Sequence, residues 1–323
     1  MKINDEGQRL LANLAQHYEV WRDAVRSLAQ GRLQWKTVAG RDYLYRIVDS
    51  AGNGTSLGPR SEATEQRDAA FQRQRHTRDD TNQQIAIDAA LYRALRLPRV
   101  PRFVGDVLRA LDVRSLLGTS FLVVGTNALI AYAIEAVEVL PAGMDTTDDF
   151  DLTWVEPIHG ASASQPPNAL LAALKSVDAT YTINMERQFQ VRNSKGQEVE
   201  LLLAAALSDR WTREQKLRPV PLIEQDWLLE GRPVSHVVTD FSDKPARVAA
   251  PDPRWFALHK LWLSQKPTRD RLKVAKDERQ GMAILDMVAD HMPHYPLDTA
   301  FRAAVPAELR PHLQRWEARM RST

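Results

Sequence analysis

The sequence predicts an α+β protein, in which a small mixed β-sheet is extended by helical additions at both ends of the chain. Short β-type runs lie near residues 33–49 and between 119 and 205, and most of the remaining chain has the apolar spacing of amphipathic helices. The length of 323 residues exceeds the usual size of a single hydrophobic core. We therefore predict three domains. They are a mainly helical N-terminal domain with a β-hairpin (1–115), a central core (116–205) and a mainly helical C-terminal domain (206–323).

The composition is typical of a folded protein without disulfides. Hydrophobic residues make up 44% of the chain and 8 residues are tryptophan, so apolar material for a core is ample. The lack of cysteine excludes disulfides, thiolate zinc sites and cysteine nucleophiles. The net charge of +2, from 43 basic and 41 acidic side chains, neither requires nor excludes a nucleic-acid partner.

The sequence predicts a cytoplasmic protein with no membrane association. Charged residues interrupt the first twenty positions, which therefore lack the apolar centre of a signal peptide. No later stretch offers the roughly 18 uninterrupted apolar residues that a membrane span requires.

The N-terminal segment predicts a helix, a hairpin, a loop and a second, longer helix. Apolar residues at helical spacing predict the first helix over residues 5–30. The two β-type runs in LQWKTVAGRDYLYRIVD predict the hairpin, and the turn formers in SAGNGTSLGPRS predict a loop. Ser61 can cap the long helix, which continues to about Leu97 and ends at Pro98. Its exposed face is rich in arginine, which is typical of a solvated surface.

The central segment predicts strands in alternation with helices. In TSFLVVGTNALIAYAIEAV, β-branched residues give way to helix formers directly after Gly125, which predicts a strand, a turn and a helix. The run DDFDLTWV alternates acidic and apolar residues, as a half-buried strand does. FQVRNSKGQEVELLLA predicts a hairpin whose second arm carries Glu198 and Glu200. From about residue 206 onward the pattern is mainly helical.

Asp149 and Asp151 are the clearest candidate metal ligands. Because one residue separates them on a strand, both point to the same side of the sheet, and Phe150 faces the core. Mg²⁺ prefers carboxylate and phosphate oxygens and retains several waters, so a few carboxylates can hold it together with a triphosphate. Alone, this spacing also fits an exposed strand edge. Glu200 could add a third carboxylate, and Glu198 is a weaker candidate on the same face.

Gly125 and Thr126 form a candidate phosphate-binding turn. A glycine between a strand and a helix lets the backbone approach phosphates closely, and the N-terminus of the helix offers unpaired N–H groups.

Together, these motifs resemble the signature of nucleotidyltransferases with the DNA polymerase β-like fold. VVGTNALIAYA, DDFDLTW and VELLL are similar to that family's strand with Gly-Ser or Gly-Thr, its strand with two acids, and its strand with a third acid. The resemblance covers about residues 119–290 and extends to bacterial proteins akin to the AbiEii and MenT toxins. RWFALHKLWLSQ and RDRLKVAKDERQ are similar to the helical segment of the family that carries lysine and arginine.

The resemblance implies an enzyme that transfers a nucleoside monophosphate from an NTP such as ATP to an acceptor hydroxyl and releases pyrophosphate. It implies Mg²⁺ or Mn²⁺ as cofactor, with Asp149, Asp151 and Glu200 as the catalytic and metal-binding residues. The C-terminal domain is expected to close the NTP cleft. The implied nucleotide-binding residues are Gly125, Thr126, Lys260, Arg269, Lys273 and Lys276. RNA such as tRNA, or a protein, is the implied acceptor, and an antitoxin is an implied partner.

Several features allow a second interpretation. Lys260 lies among apolar neighbours and could simply extend its ammonium to the surface, and Lys273 could pair with Asp277 four residues later. Arg60, which opens the long arginine-bearing helix, could bind a nucleotide or only help to start that helix. The alternative function is a non-catalytic nucleotide-sensing or RNA-binding module on the same fold, which uses these arginines for phosphate contacts.

Overall fold

The structure is a computed structural model that describes residues 2–29, 31–139, 149–155, 166–210 and 216–322. The α-helices are α1 (Asp5–Leu28), α2 (Glu62–Ala94), α3 (Arg102–Val113), α4 (Leu129–Glu135), α5 (Pro166–Val177), α6 (Pro253–Leu263), α7 (Arg271–His291), α8 (Thr299–Ala304) and α9 (Arg310–Ser322). The strands are β1 (Arg32–Val38), β2 (Arg41–Ile47), β3 (Gly54–Pro59), β4 (Arg99–Val100), β5 (Phe121–Val124), β6 (Asp149–Trp154), β7 (Thr182–Ile183), β8 (Gln190–Arg192), β9 (Glu198–Ala204), β10 (Val220–Leu222), β11 (Val234–Asp240) and β12 (Pro245–Ala250). Short 3₁₀ helices span Gly125–Ala128, Ala205–Arg210 and Ile223–Leu229. The predicted α+β class is confirmed.

The central sheet is mixed and has the order β5-β6-β9-β8-β7, with β10 paired to β9. β5 runs antiparallel to β6, whereas β6 and β9 run parallel, as do β9 and β10. Phe150 and Leu152 in β6 are buried, while Asp149 and Asp151 keep part of their surface exposed. The alternation therefore directs the apolar side chains of β6 into the core and its two carboxylates to the opposite face.

β5 of this sheet and the following helix α4 are deeply buried. Every residue of β5 is buried, and so is α4 from Leu129 to Ile134. Apart from Ala133, these residues belong to one continuous apolar cluster that also contains side chains of α1, α6, α7 and α9. The rigid base under the Gly125 turn follows from this burial, because a close-packed interior resists displacement.

The N-terminal segment carries a separate antiparallel sheet with the order β1-β2-β3. The predicted hairpin over β1 and β2 is confirmed. The predicted loop before Ser61 is wrong in part, because residues Gly54–Pro59 form the third strand. A side chain at Gly54 would lie 2.1 Å from the carbonyl oxygen of Arg46, so glycine here permits close strand pairing as well as turns.

A third sheet, with the order β12-β11-β4, joins distant parts of the chain. β4 pairs in parallel with the end of β11, and β11 pairs antiparallel with β12. The prediction of mainly helical structure after residue 206 did not anticipate β11 and β12, although VSHVV is rich in β-branched residues. The domain boundaries at 115 and 205 stay predictions.

No helix within the described ranges combines the length and the apolar character that crossing a membrane requires.

Candidate functional site

Four carboxylates lie side by side on one face of the central sheet. The parallel pairing of β6 with β9 sets Asp149 opposite Glu198 and Asp151 opposite Glu200. Because residues opposite each other on neighbouring strands share a face, the two aspartates and two glutamates form one acidic patch. The structure thus brings together the three acids that the sequence singled out, and Glu198 adjoins them.

The Gly125 turn packs directly against this patch. Gly125 has a φ of +65°, and an added Cβ would lie 2.0 Å from Oδ2 of Asp151. Only glycine can therefore occupy this position without displacing the carboxylate. Thr126 is buried, and Nε2 of Gln280 lies 3.5 Å from its hydroxyl oxygen. The side chain of Asn127 donates to the backbone carbonyl of Asp149 at 3.0 Å, which ties the turn to the start of β6.

Burial, together with crowding of negative charge, raises the pKa values of two acids in the patch. The pKa of Glu200 is raised to about 7, first by burial and then by the charges of Asp151 and Asp149. The pKa of Asp151 is also raised, mainly by burial, and Lys260 partly opposes this shift. Carboxylates that repel one another in a poorly hydrated cleft gain most from a cation between them.

Gln190 fixes the glutamate side of the patch. Its side chain is 2% exposed, and its Nε2 donates to Oε2 of Glu198 at 2.9 Å and to Oε1 of Glu200 at 3.0 Å. Asn184 in turn donates to Oε1 of Gln190 at 2.7 Å. Arg192 lies 3.4 Å from the other oxygen of Glu198. Glu198 is therefore engaged by two structural partners, while Gln190 holds one oxygen of Glu200 in place.

A cationic wall from α6, α7 and the connection between them faces the acids. Asp277, 2% exposed, accepts hydrogen bonds from Lys260 Nζ at 2.8 Å and Arg269 Nε at 2.7 Å. Lys273 Nζ lies 4.0 Å from Oδ2 of Asp149. The pKa of Lys276 is lowered, first by burial and next by Lys260. Two alternative predictions are wrong: Lys273 does not pair with Asp277, and Lys260 does not extend to the surface. Buried Asp277 binds Lys260 and Arg269 instead.

Acids and cations line a single cleft of about 370 Å³. This volume lies within the range of small-molecule sites. The predicted site residues that line it are Gly125, Thr126, Asp149, Asp151, Glu200, Lys260, Arg269, Lys273 and Lys276.

Arg60 does not line this cleft. It lies between β3 and α2, where its guanidinium contacts Asp42 at 3.2 Å and Glu65 at 2.9 Å. The guanidinium also stacks over the ring of Trp35, 5.1 Å from the ring centre. These contacts support the helix-starting interpretation, and the role in nucleotide binding stays a prediction.

The donor chemistry of the acidic patch fits a hard divalent cation. Within the described residues, no three Asp, Glu or His side chains are grouped closely enough to enclose a metal ion by themselves. Mg²⁺ does not need such a cage, since it binds through one or two carboxylates together with substrate phosphates and water. Asp149 and Asp151 on one face of β6 supply the carboxylates, and the cationic wall faces the space that phosphates would fill.

Comparison with known proteins decides the family. The sequence model of a family described as Nucleotidyltransferase matches residues 102–306, which is more than half of the chain. The chain belongs to this family. Membership supports nucleotidyl transfer as the general activity.

Further comparisons add little to this assignment. The chain is similar to the crystal structure of an antigenic nucleotidyltransferase-like protein from Paracoccidioides brasiliensis, at 17% identity and a TM-score of 0.33. That similarity covers 58% of this chain and 74% of the other. No curated protein matches the chain significantly.

In this nucleotidyltransferase, sequence reasoning missed Gln190, which precedes the acidic strand in a hairpin and does not stand out by spacing. It considered Asp277 only as a partner of Lys273, whereas Asp277 holds Lys260 and Arg269. Gln225 and His259 also line the cleft and were not predicted. Lys260, next to His259 in the chain, was predicted, but only the fold shows which side of each helix meets the cleft.

Proposed function

We propose that this nucleotidyltransferase moves a nucleoside monophosphate from an NTP to an acceptor hydroxyl in a reaction that depends on Mg²⁺ or Mn²⁺. The observation that carries the proposal is the parallel pairing of Asp151 with Glu200, which adds a third carboxylate to the Asp149–Asp151 pair opposite a cationic wall. Phosphoryl transfer requires carboxylates that hold metal ions and cationic side chains that bind phosphates, and this cleft contains both.

In the proposed reaction, the acceptor oxygen bonds to the α-phosphorus as the bond to the bridging oxygen breaks and pyrophosphate leaves. The acceptor proton passes to Glu200 or to water. Bound Mg²⁺ would stabilise the attacking and leaving oxygens, held by Asp149 and Asp151 with Glu200 completing the site. The remaining residues bind and orient the triphosphate: Gly125 and Thr126 through N–H and hydroxyl donors, and the cationic wall through charge.

For the acceptor, we propose RNA such as tRNA, with a protein hydroxyl as the second choice. The support is the resemblance of the Gly-Thr, two-acid and third-acid motifs to those of AbiEii and MenT toxins. The same resemblance supports a role in toxin–antitoxin or defence systems, with control by an antitoxin protein.

The test is transfer of label from each α-labelled NTP, with Mg²⁺ or Mn²⁺, into total tRNA and cell extract. We expect the wild type to label RNA or protein, and Asp149→Ala and Asp151→Ala each to lower the rate by at least about 100-fold, since each removes a ligand of the reaction's cations. Glu186→Ala is the matched control, because Glu186 is an exposed acid in the same region outside the cleft.

Absence of label with the wild type, together with equal NTP binding by the wild type and both aspartate variants, would contradict the proposal. The non-catalytic nucleotide-sensing or RNA-binding module would then be favoured.

A further inference from the structure

Part of the cleft lining differs in chemistry from the acids and the cationic wall. The 3₁₀ helix Ile223–Leu229 packs against α6 and adds Gln225 to the cleft lining. His259 of α6 also lines the cleft. Half-buried leucines contribute apolar surface to the same cleft; they are Leu202, Leu222 and Leu263. The lining therefore offers two neutral polar side chains and apolar surface in addition to its charged groups.

Both polar side chains are buried with hydrogen-bonding atoms unused. Gln225 is 3% exposed and His259 is 5% exposed. Among the described residues, Oε1 of Gln225 and both ring nitrogens of His259 have no hydrogen-bond partner. Burial of such atoms without a partner costs about 1–3 kcal/mol per group, so a water molecule or a ligand that bonds to them would stabilise the protein.

Neighbouring groups keep His259 neutral and contact its ring. The pKa of His259 is lowered to about 3, first by burial and then by Lys260 and Arg269. The ring of Trp227 meets the ring of His259 edge-on, with centres 6.4 Å apart. Glu224, next to Gln225, is paired with Lys266 at 2.7 Å and so leaves no unpaired charge at this position. A neutral imidazole and an amide each offer one donor and one acceptor function side by side.

We propose that Gln225 and His259 form a subsite that binds the nucleobase of the donor NTP through hydrogen bonds to the edge of its ring. This inference rests on the proposed function. A nucleobase presents donors and acceptors together along a flat edge, as these two side chains do, and has apolar faces that suit the leucines.

Other ligand classes fit Gln225 and His259 less well. A phosphate or carboxylate needs cations and N–H donors, whereas Oε1 of Gln225 is an acceptor and the imidazole of His259 is neutral. A purely apolar ligand would leave the amide and imidazole unpaired. Gln225 already lines the cleft, and turning its terminal torsion, which has a broad preference, presents its amide to the base.

The experiment measures the Kd of ATP, CTP, GTP, UTP and inorganic tripolyphosphate by calorimetry in Mg²⁺. We expect the wild type to bind its preferred NTP at least about tenfold more tightly than the NTP that it binds least tightly. A base that cannot form one or two of the buried hydrogen bonds would lose about this much affinity. Gln225→Met and His259→Leu should each reduce that preference by about tenfold and leave the Kd of tripolyphosphate, which has no base, unchanged.

Gln265→Met is the matched control, because Gln265 is exposed just beyond α6 and does not line the cleft. Circular dichroism checks the fold of each variant, and if His259→Leu does not fold, Gln225→Met carries the test. The subsite is overturned if the variants keep the wild-type preference, or if they weaken NTP and tripolyphosphate equally.

Two further outcomes separate this inference from the proposed function. If NTP affinities stay the same in the variants but label transfer to the acceptor falls, the subsite binds the acceptor and the donor assignment is wrong. If the wild type binds neither NTP nor tripolyphosphate in a Mg²⁺-dependent way, the proposed function fails and the nucleobase subsite fails with it.

Discussion

At the scale of single residues, the site depends on side chains that hold other side chains. Asp277 binds Lys260 and Arg269, and Gln190 binds Glu200 and Glu198. In both cases a buried polar group fixes the orientation of a group that faces the cleft. Such supporting partners commonly matter almost as much as the ligands themselves.

Gln190→Leu tests this dependence. Leucine keeps the volume but removes the donor to Glu200, so we expect Mn²⁺ affinity to fall about 10- to 100-fold, the usual effect of losing a supporting hydrogen bond. Mn²⁺ titration followed by electron paramagnetic resonance measures the affinity. Gln188→Leu is the control, because Gln188 is a nearby glutamine outside the cleft. Unchanged Mn²⁺ binding in Gln190→Leu would show that Glu200 needs no such support.

The candidate site could be predicted from the sequence only in part. The two-residue period of a strand puts Asp149 and Asp151 on one face. An acid between apolar residues indicates that Glu200 lies on another strand. Spacing cannot show that β6 and β9 run parallel in the register that sets Asp151 opposite Glu200. Nor can it find Gln190, whose role arises only from the pairing of β8 with β9.

At the scale of elements, the contact between α6 and α7 holds the cationic wall opposite the sheet. Gly281 in α7 permits this contact: an added Cβ would lie 2.7 Å from Cγ of Leu261 and 2.8 Å from the carbonyl oxygen of Ala257. The two helices therefore approach more closely than any side chain at this position would allow. The Lys260–Asp277 hydrogen bond crosses the same interface.

Gly281→Ala should destabilise the protein, although alanine favours helices. The gain in helix propensity is about 1 kcal/mol, and forcing apart a packed interface costs about 1–3 kcal/mol, so we expect a net loss of about 1 kcal/mol. Urea unfolding followed by circular dichroism measures the change. Ala275→Gly, at an exposed position in the same helix, shows the propensity effect by itself. A more stable Gly281→Ala variant would mean that the helices can separate without cost.

The helices themselves were easier to predict than the strands after residue 206. The Ser61 cap and Pro98 define the limits of α2, and apolar residues at helical spacing after an Asp cap define α7. β11 and β12 are short, and each depends on pairing with the other and with β4. Since strand formation requires a partner that can lie far away in the chain, local pattern indicates it weakly.

At the scale of the whole molecule, ionic contacts connect the core to the C-terminal helices. Glu135, at the end of α4, pairs with His236 of β11 and lies 2.5 Å from Nε2 of His294, which follows α7. The pKa of Glu135 is lowered to about 2, first by its hydrogen bond to His236 and further by His294, although burial opposes the shift. One carboxylate thus links three parts of the fold.

The sign of this shift gives a pH dependence of stability. Because the pKa of Glu135 is lower in the folded state than its ordinary 4.5, its stabilisation is complete above that value and is lost as pH falls toward about 2. We expect Glu135→Gln to cost on the order of 2 kcal/mol at pH 7 and progressively less below pH about 4.5. Urea unfolding of both proteins at pH 7, 4 and 3 measures this. A difference independent of pH would assign the effect to packing alone.

The pairing of β4 with β11 also has a consequence for how the chain folds during synthesis. Residues Arg99 and Val100 can find their strand partners, Thr239 and Asp240, only after the ribosome has made most of the chain. The large separation slows this closure, because a long loop must be ordered before the contact rewards it. The N-terminal helices therefore emerge before the strand partner of Arg99 and Val100 exists, so this sheet can be completed only late in synthesis.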